Sequence, residues 1–361
     1  MVQPESSANT PLLAARGLTK AFGAGRRASD QFVALEDFSL QIAADRPTIT
    51  TIAGESGSGK TTLALLALGL IAPTAGQLLY RGQDVSRMSK RQESAFRQEV
   101  QAIFQDPFEV YNPVYRVDRV LKTVVKKFRL APDRQAADRL MREALATLGL
   151  EPDDVLGKFP HQLSGGQRQR IMFARALLPK PRLIVADEPV SMIDASLRAL
   201  ILEHMLRLKH DFGISFLYIT HDLSTAYQIS DDIYILYRGR VAERGDVARV
   251  IEAPRHPYTR LLVDSVPTPD PAIGWETRIE LPPEVEARIG PTTGCAFADR
   301  CPSVMPQCRR RVPPLIQIGH NHEASCFLYG DGGDESDAGF SHGRERPRRA
   351  VHDPRSVGQR A

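Results

Sequence analysis

Leu163-Ser164-Gly165-Gly166-Gln167 stands upstream of the apolar run Leu183-Ile184-Val185-Ala186, which ends in two adjacent carboxylates, Asp187 and Glu188. A glycine-rich turn that opens a helix offers free backbone N–H groups to a phosphate. An apolar run closed by acidic residues reads as a buried strand whose carboxyl end carries chemistry. Further upstream, Gly54-Glu55-Ser56-Gly57-Ser58-Gly59-Lys60-Thr61 fits G-x4-G-K-[ST]. It follows a predicted strand, Thr48–Ala53, and precedes an apolar helix predicted over Thr62–Leu70. Two phosphate-type turns in one fold point to an ATPase that works when two copies of that fold close face to face.

The residue types explain the chemistry. Gly54, Gly57 and Gly59, with Ser56 and Ser58 between them, let backbone N–H groups curl around a β-phosphate. Lys60 supplies a point charge to the β- and γ-phosphates, Thr61 a hydroxyl for Mg²⁺, and Thr62 reaches the α-phosphate. Asp187 would hold Mg²⁺ through water, and Glu188 would act as general base on the attacking water. His221 closes the predicted strand Ile214–Thr220, and Gln105 follows the apolar triplet Ala102–Phe104. Each of these two is uninformative alone.

Bulk composition narrows the class. The chain has 361 residues, 42% of them hydrophobic, which suffices for one large α/β core and a smaller appendage. A net charge of +4, mixed along the chain, does not argue for a nucleic-acid partner. The longest apolar run, Leu63 to Ala72, is too short to span a bilayer, and the N-terminus carries no charged-then-apolar signal pattern. A cytoplasmic protein is expected, reaching a membrane only through a membrane partner.

Strand-like runs alternate with helical patterns from Leu12 to about Ala253, as in a mostly parallel sheet covered by helices. A helical insertion is predicted from Asp106 to Leu163, extending as a subdomain over about 106–180, with an amphipathic helix at Arg134–Leu148. Twelve of the 26 prolines fall between Pro254 and Pro314, which predicts a loop-rich second module over 254–329. Residues 1–11 and 330–361 read as a loose tail and a disordered tail.

The motifs occur in a distinctive order: GESGSGKTT at 54–62, Gln105 in IFQDP, LSGGQRQR at 163–170, LIVADEP at 183–189, SMID at 191–194 and THD at 220–222. In this order they resemble an ATP-binding cassette, the nucleotide-binding subunit of an ABC transporter. The resemblance implies a P-loop NTPase fold, with a mostly parallel sheet, an antiparallel β part and a helical insertion. It implies that Phe22 stacks on adenine, with Phe32 as competitor, and that Gln105 touches Mg²⁺ or the lytic water. Ser164, Gly165, Gly166 and Gln167 would belong to the ATP of the opposite subunit, Asp194 would bridge the two subunits, and His221 would contact the γ-phosphate. Met192-Ile193 departs from the small or leucine residues common in the bridging turn.

His256-Pro257-Tyr258-Thr259-Arg260-Leu261-Leu262, the proline-rich stretch, GCAFADRCP at 294–302 and FQDPFEVYNPVYRV at 104–117 resemble the oligopeptide/dipeptide importer subfamily. Some of its relatives move oligosaccharides or nickel. The partners implied are a second, similar ATPase chain, two transmembrane permease subunits at the cytoplasmic face of the membrane, and an extracytoplasmic solute-binding protein. All four cysteines, Cys295, Cys301, Cys308 and Cys326, lie in this last part. The resemblance implies a [4Fe–4S] cluster on these four thiols. Zinc is the runner-up, lacking its usual tight C-x2–4-C pairs, and disulfides and unligated thiols complete the alternatives. His320 and His322 are spare metal ligands in sequence terms. Competing functions are a soluble cassette acting in translation or DNA repair, and a redox- or iron-sensing regulator. A single cassette and the short distance from Gln105 to Leu163 speak against the first.

Overall fold

The computed structural model describes residues 10–23, 31–105, 111–191, 193–266 and 293–330. The expected tails lie outside these residues apart from Thr10, Pro11 and Gly330.

The first strands are β1 (Leu13–Phe22), β2 (Phe32–Ile42) and β3 (Ile49–Ala53). Helix α1 (Lys60–Ala67) follows, then β4 (Ala75–Tyr80), β5 (Gln83–Asp84), α2 (Lys90–Glu99) and β6 (Val100–Ile103). The insertion supplies α3 (Asp118–Phe128), α4 (Arg134–Thr147) and α5 (Pro152–Val155). Next come α6 (Gly165–Leu177), β7 (Leu183–Asp187), α7 (Ala195–Phe212), β8 (Ser215–Thr220) and α8 (Leu223–Ile229). The chain continues through β9 (Asp232–Tyr237), β10 (Arg240–Asp246), α9 (Val247–Glu252), α10 (Pro257–Asp264), β11 (Ile316–Gly319) and β12 (His322–Ala324).

These strands form two sheets. An antiparallel sheet has the order β2-β1-β4-β5, and an eight-stranded sheet the order β11-β12-β10-β9-β3-β8-β7-β6. The run β9-β3-β8-β7-β6 is parallel. Side chains alternate across it, as the two-residue period of a strand requires. Leu183, Val185, Leu217 and Ile219 face one way and pack with Leu63 and Leu66 of α1 and with Leu18, Leu35 and Phe38 of the antiparallel sheet. Ile184, Ala186, Phe216 and Tyr218 face the other way, onto Ile171 and Phe173 of α6 and Leu121 and Leu145 of the insertion. The strands are therefore buried on both faces, which explains their continuous apolar runs. Among the described residues no helix is long and apolar enough to cross a membrane.

The expected P-loop α/β fold is the one observed. Two boundaries move: α1 starts at Lys60, not Thr62, because Gly59 takes the left-handed N-cap position, and it ends at Ala67 before Gly69 at φ +62°. The proline-rich module is expected to be loop-rich and without long helices. It contains an eight-residue helix, with Pro257 at its first turn, where proline suits a helix, and a β-hairpin that joins the large sheet through β12 on β10.

Candidate functional site

The phosphate-type loop hangs between β3 and α1, and its backbone geometry needs glycine. Gly54 sits at φ +150°, where a Cβ would lie 2.2 Å from the Leu236 carbonyl oxygen, and Gly59 at φ +103°, where it would lie 2.3 Å from that of Ala34. At the crest, Gly57 (φ +77°) has open space around it. Inside the loop, the buried Ser58 hydroxyl has no hydrogen-bond partner among the described residues, an arrangement suited to an incoming phosphate oxygen. Lys60, 7% exposed, folds back so that Nζ donates to the carbonyls of Gly54 (2.7 Å) and Glu55 (2.8 Å). Burial lowers its pKa, while the carboxylates of Glu188, Asp187 and Glu55 pull it up. Thr61 and Thr62 occupy the first turn of α1.

Asp187 ends β7. Burial raises its pKa, against the pull of a Thr61 hydrogen bond and of Lys60. A hydroxyl bonded to a carboxylate beside the loop is a fitting donor pair for Mg²⁺. Glu188 follows at φ +46°, a left-handed conformation that costs on the order of 1–3 kcal/mol and persists only where the surroundings impose it. They do so here: the Glu188 N–H donates to the Ile219 carbonyl at 2.9 Å, and its carbonyl accepts the Ser191 hydroxyl at 3.0 Å. The carboxylate thereby meets two residues from distant elements. Gln105 Nε2 donates to Oε2 at 3.0 Å, and His221 Nδ1 lies 3.0 Å from Oε1. A carboxylate has no proton to give, so the Nδ1–H donates. Each oxygen retains a further lone pair for a water. Four sequence candidates, Gln105, Asp187, Glu188 and His221, thus meet at the carboxyl ends of β6, β7 and β8.

The glycine turn at 163–167 is built differently. Ser164 is the N-cap of α6: its hydroxyl accepts the Gln167 N–H (3.1 Å), and Gln167 Oε1 accepts the Ser164 N–H (2.9 Å). This reciprocal pair is the capping box written in S-x-x-Q, a local role that the phosphate reading of the motif passed over. Gly165 faces open space, whereas a Cβ on Gly166 would press on Leu197 at 2.6 Å. Among the described residues, no hydrogen bond links Ser164, Gly165, Gly166 or Gln167 to the loop at 54–61 or to Glu188. Asp194 is exposed at the N-cap of α7, without a side-chain capping bond. Met192 lies outside the described residues. Phe22 and its competitor Phe32 face each other in register at the end of the β1–β2 pair, 43% and 41% exposed. Lys20 Nζ stands 5.1 Å from the Phe22 ring.

The structure gives the cysteine expectation no support. Cys295, Cys301, Cys308 and Cys326 all border one cavity, but its volume is about 10 Å³, room for about one water. Among the described residues no three His, Cys, Asp or Glu stand where they would hold a metal ion. Burial raises the thiols of Cys295 and Cys301 and pushes Cys326 up to about 12. The thiols pack as small apolar groups, so neither the [4Fe–4S] cluster nor zinc is supported by the geometry. The spare ligands are not there either: His320 is exposed, and His322 is buried with Nε2 2.6 Å from Glu243.

Two contacts had no signal in the sequence. The Glu55 N–H donates to the Tyr258 hydroxyl at 2.9 Å, and the Glu55 carboxylate takes both terminal nitrogens of Arg300 at 2.9 and 3.1 Å.

Comparison with known proteins agrees with this geometry. Residues 35–191 match the family described as ABC transporter, and residues 242–308 match the oligopeptide/dipeptide transporter C-terminal region. The chain is 37% identical over 320 residues to the putative oligopeptide transport ATP-binding protein YkfD of Bacillus subtilis, covering 88% of this chain and 96% of that protein. It is 38% identical over 318 residues to a putative peptide import ATP-binding protein of Brucella ovis, covering 88% and 98%. Among solved structures, cbiO1 from Clostridium perfringens, part of the ABC transporter complex cbiONQ, superposes with a TM-score of 0.58 at 24% identity, over 68% of this chain and 92% of that one. The dimeric cassette MJ0796 bound to ADP and Pi gives 0.56 at 24% identity, over 65% and 98%. At that identity the structural likeness speaks for the fold alone. The sequence likeness reaches nearly the full length of its relatives, and the chain belongs to the ATP-binding proteins of ABC transporters, on the oligopeptide/dipeptide branch.

Proposed function

We propose that this ATPase is the energy-coupling subunit of a binding-protein-dependent importer, with peptides as the solute class. The single observation that carries the hydrolytic part is the meeting of Gln105 and His221 on the Glu188 carboxylate, at the end of β7, two strands along the sheet from the β3 that leads into the Lys60 loop. Glu188 takes the proton of the attacking water, and Gln105 and His221 hold its carboxylate in one orientation. Lys60 releases the Gly54 and Glu55 carbonyls and turns to the β- and γ-phosphates. The N–H groups from Gly54 to Thr62, with the Ser56 and Ser58 hydroxyls, wrap the phosphates, and Phe22 carries the adenine. Thr61 and Asp187, with Gln105 nearby, would hold Mg²⁺, which would supply positive charge to offset that of the terminal phosphates.

Ser164, Gly165, Gly166, Gln167 and Asp194 serve a second cassette. What supports this is that, among the described residues, they make no hydrogen bond to their own loop at 54–61, and that Gly165 is open. Permease docking is supported by a groove of about 500 Å³ bordered by Leu70, Phe104, Tyr115, Arg119 and Val120. On its rim Leu70 and Tyr115 are 47% and 43% exposed. We read residues 12–253 as the cassette and 254–329 as the C-terminal module, working at the cytoplasmic face. Peptide import rests on the likeness to oligopeptide transport and peptide import ATP-binding proteins, and an extracytoplasmic binding protein completes the assembly. Co-expression of the full chain with its candidate permeases tests the reading: a complex with two multispan proteins and solute-stimulated ATPase is the expected outcome. Purification free of any membrane protein, with undiminished ATPase, counts against it.

A further inference from the structure

Glu55, the second residue of the phosphate loop, is held on three sides. Its N–H donates to Tyr258, its carbonyl accepts from Lys60, and its carboxylate is taken in a two-point fork by Arg300. Neither Tyr258 nor Arg300 belongs to a nucleotide motif. Tyr258 is fully buried in α10, and Arg300 lies in the turn that runs from Cys295 to Cys301. Arg300 is itself steered: its guanidinium carbon stands 5.8 Å from the Tyr237 ring centre and 5.6 Å from that of Phe297, and it donates to the Tyr237 hydroxyl at 3.4 Å. The rings of Tyr237, Tyr258 and Phe297 pack on one another with centres 4.5 to 5.5 Å apart. A planar fork seated on packed rings fixes the direction of a carboxylate as well as offsetting its charge.

The charge matters because the loop receives a polyanion. An unanswered carboxylate beside it opposes triphosphate by like-charge repulsion, and a loose one lets the Glu55 peptide turn away from the Lys60 side of the loop. We propose that Arg300 is a positioning residue for nucleotide binding, through which the C-terminal segment holds Glu55 and sets the conformation and charge of the phosphate loop. The proposal rests on residues 54–61 being the phosphate site.

The test uses the full-length chain, titrated with a fluorescent ATP analogue and Mg²⁺, alongside steady-state ATPase. Arg300→Ala is expected to weaken binding about tenfold and to raise KM in step, with kcat within about twofold. In a Glu55→Gln background the same replacement is expected to change binding less than about twofold, because no carboxylate remains to be held. Arg300→Lys keeps the charge, loses the fork and falls between, at about threefold. An equal penalty in both backgrounds, unchanged binding in Arg300→Ala, or a loss confined to kcat overturns the proposal. Should Arg300→Ala not fold, Arg300→Lys carries the same comparison in the two backgrounds. Lys60→Ala separates the premises: if it binds like the wild type, the phosphate-site reading falls and the proposal with it. If only Lys60→Ala weakens binding, the proposal alone falls.

Discussion

His256 Nδ1 accepts the Tyr258 N–H at 3.0 Å, so this nitrogen carries no proton in the folded chain. Burial lowers its pKa from 6.5 to about 4, against the pull of Glu243. In the unfolded chain the imidazole titrates near 6.5, so between the two values the unfolded state takes up the proton. The stability owed to a neutral His256 is complete above pH 6.5, shrinks as the pH falls, and is gone below about 4. The difference amounts to roughly 3 kcal/mol. Urea unfolding of wild type and His256→Asn from pH 7.5 to 4 measures it: the wild-type advantage should narrow steadily toward acid, and a gap that ignores pH defeats the assignment. At this scale the sequence was a good guide wherever a residue closes a strand. Gln105, Asp187, Glu188 and His221 sit at strand ends and converge for that reason. Tyr258 and Arg300 reach Glu55 only through tertiary packing of distant chain, and no spacing in the sequence reports such a contact.

Glu243, on β10, is completely buried and ties three elements together. It accepts the N–H groups of Arg255 (2.9 Å) and His256 (2.8 Å) at the start of α10 and faces His322 Nε2 of β12 at 2.6 Å. Replacing it with alanine strands the His256 N–H and His322 Nε2, both buried, together with the part-buried Arg255 N–H. Glu243→Ala is expected to cost ~3–5 kcal/mol, read as a lower urea midpoint with loss of protection at both α10 and β12 in hydrogen exchange. A drop under ~1 kcal/mol would show that water satisfies these donors instead. The parallel strands were legible because burial on both faces writes them as continuous apolar runs. The β11–β12 hairpin was not. Its strands are four and three residues long, they carry Gln317 and Glu323 where apolar alternation would have marked them, and prolines upstream dominate the local pattern.

For the molecule as a whole, the two glycine turns take different parts. The loop at 54–61 is wired to its own α1 and to the C-terminal segment, while the Ser164 and Gln167 side chains bond each other's backbone N–H groups at the start of their own helix. Glu188→Gln keeps the shape of the site and removes the proton acceptor. Turnover should fall on the order of 100-fold or more, while MgATP still drives two cassettes together in sedimentation runs. Wild-type turnover in this variant removes Glu188 from the role of base. Composition and motif order conveyed the fold. They leave the thiols open, since spacing alone does not tell whether four cysteines surround a space for a cluster or close over one water's volume.

The hairpin on β10 has a bearing on solubility. A strand at a sheet margin offers a row of unpaired amides and carbonyls on which a neighbouring chain can template itself. Through β12, the last described part of the chain covers that margin at Glu243, Arg244 and Gly245. A cassette shortened to end before Ile316 would expose the flank of an otherwise apolar sheet. The C-terminal hairpin thus moves the sheet margin from the seven-residue β10 to the four-residue β11, and a short edge strand offers less to template on.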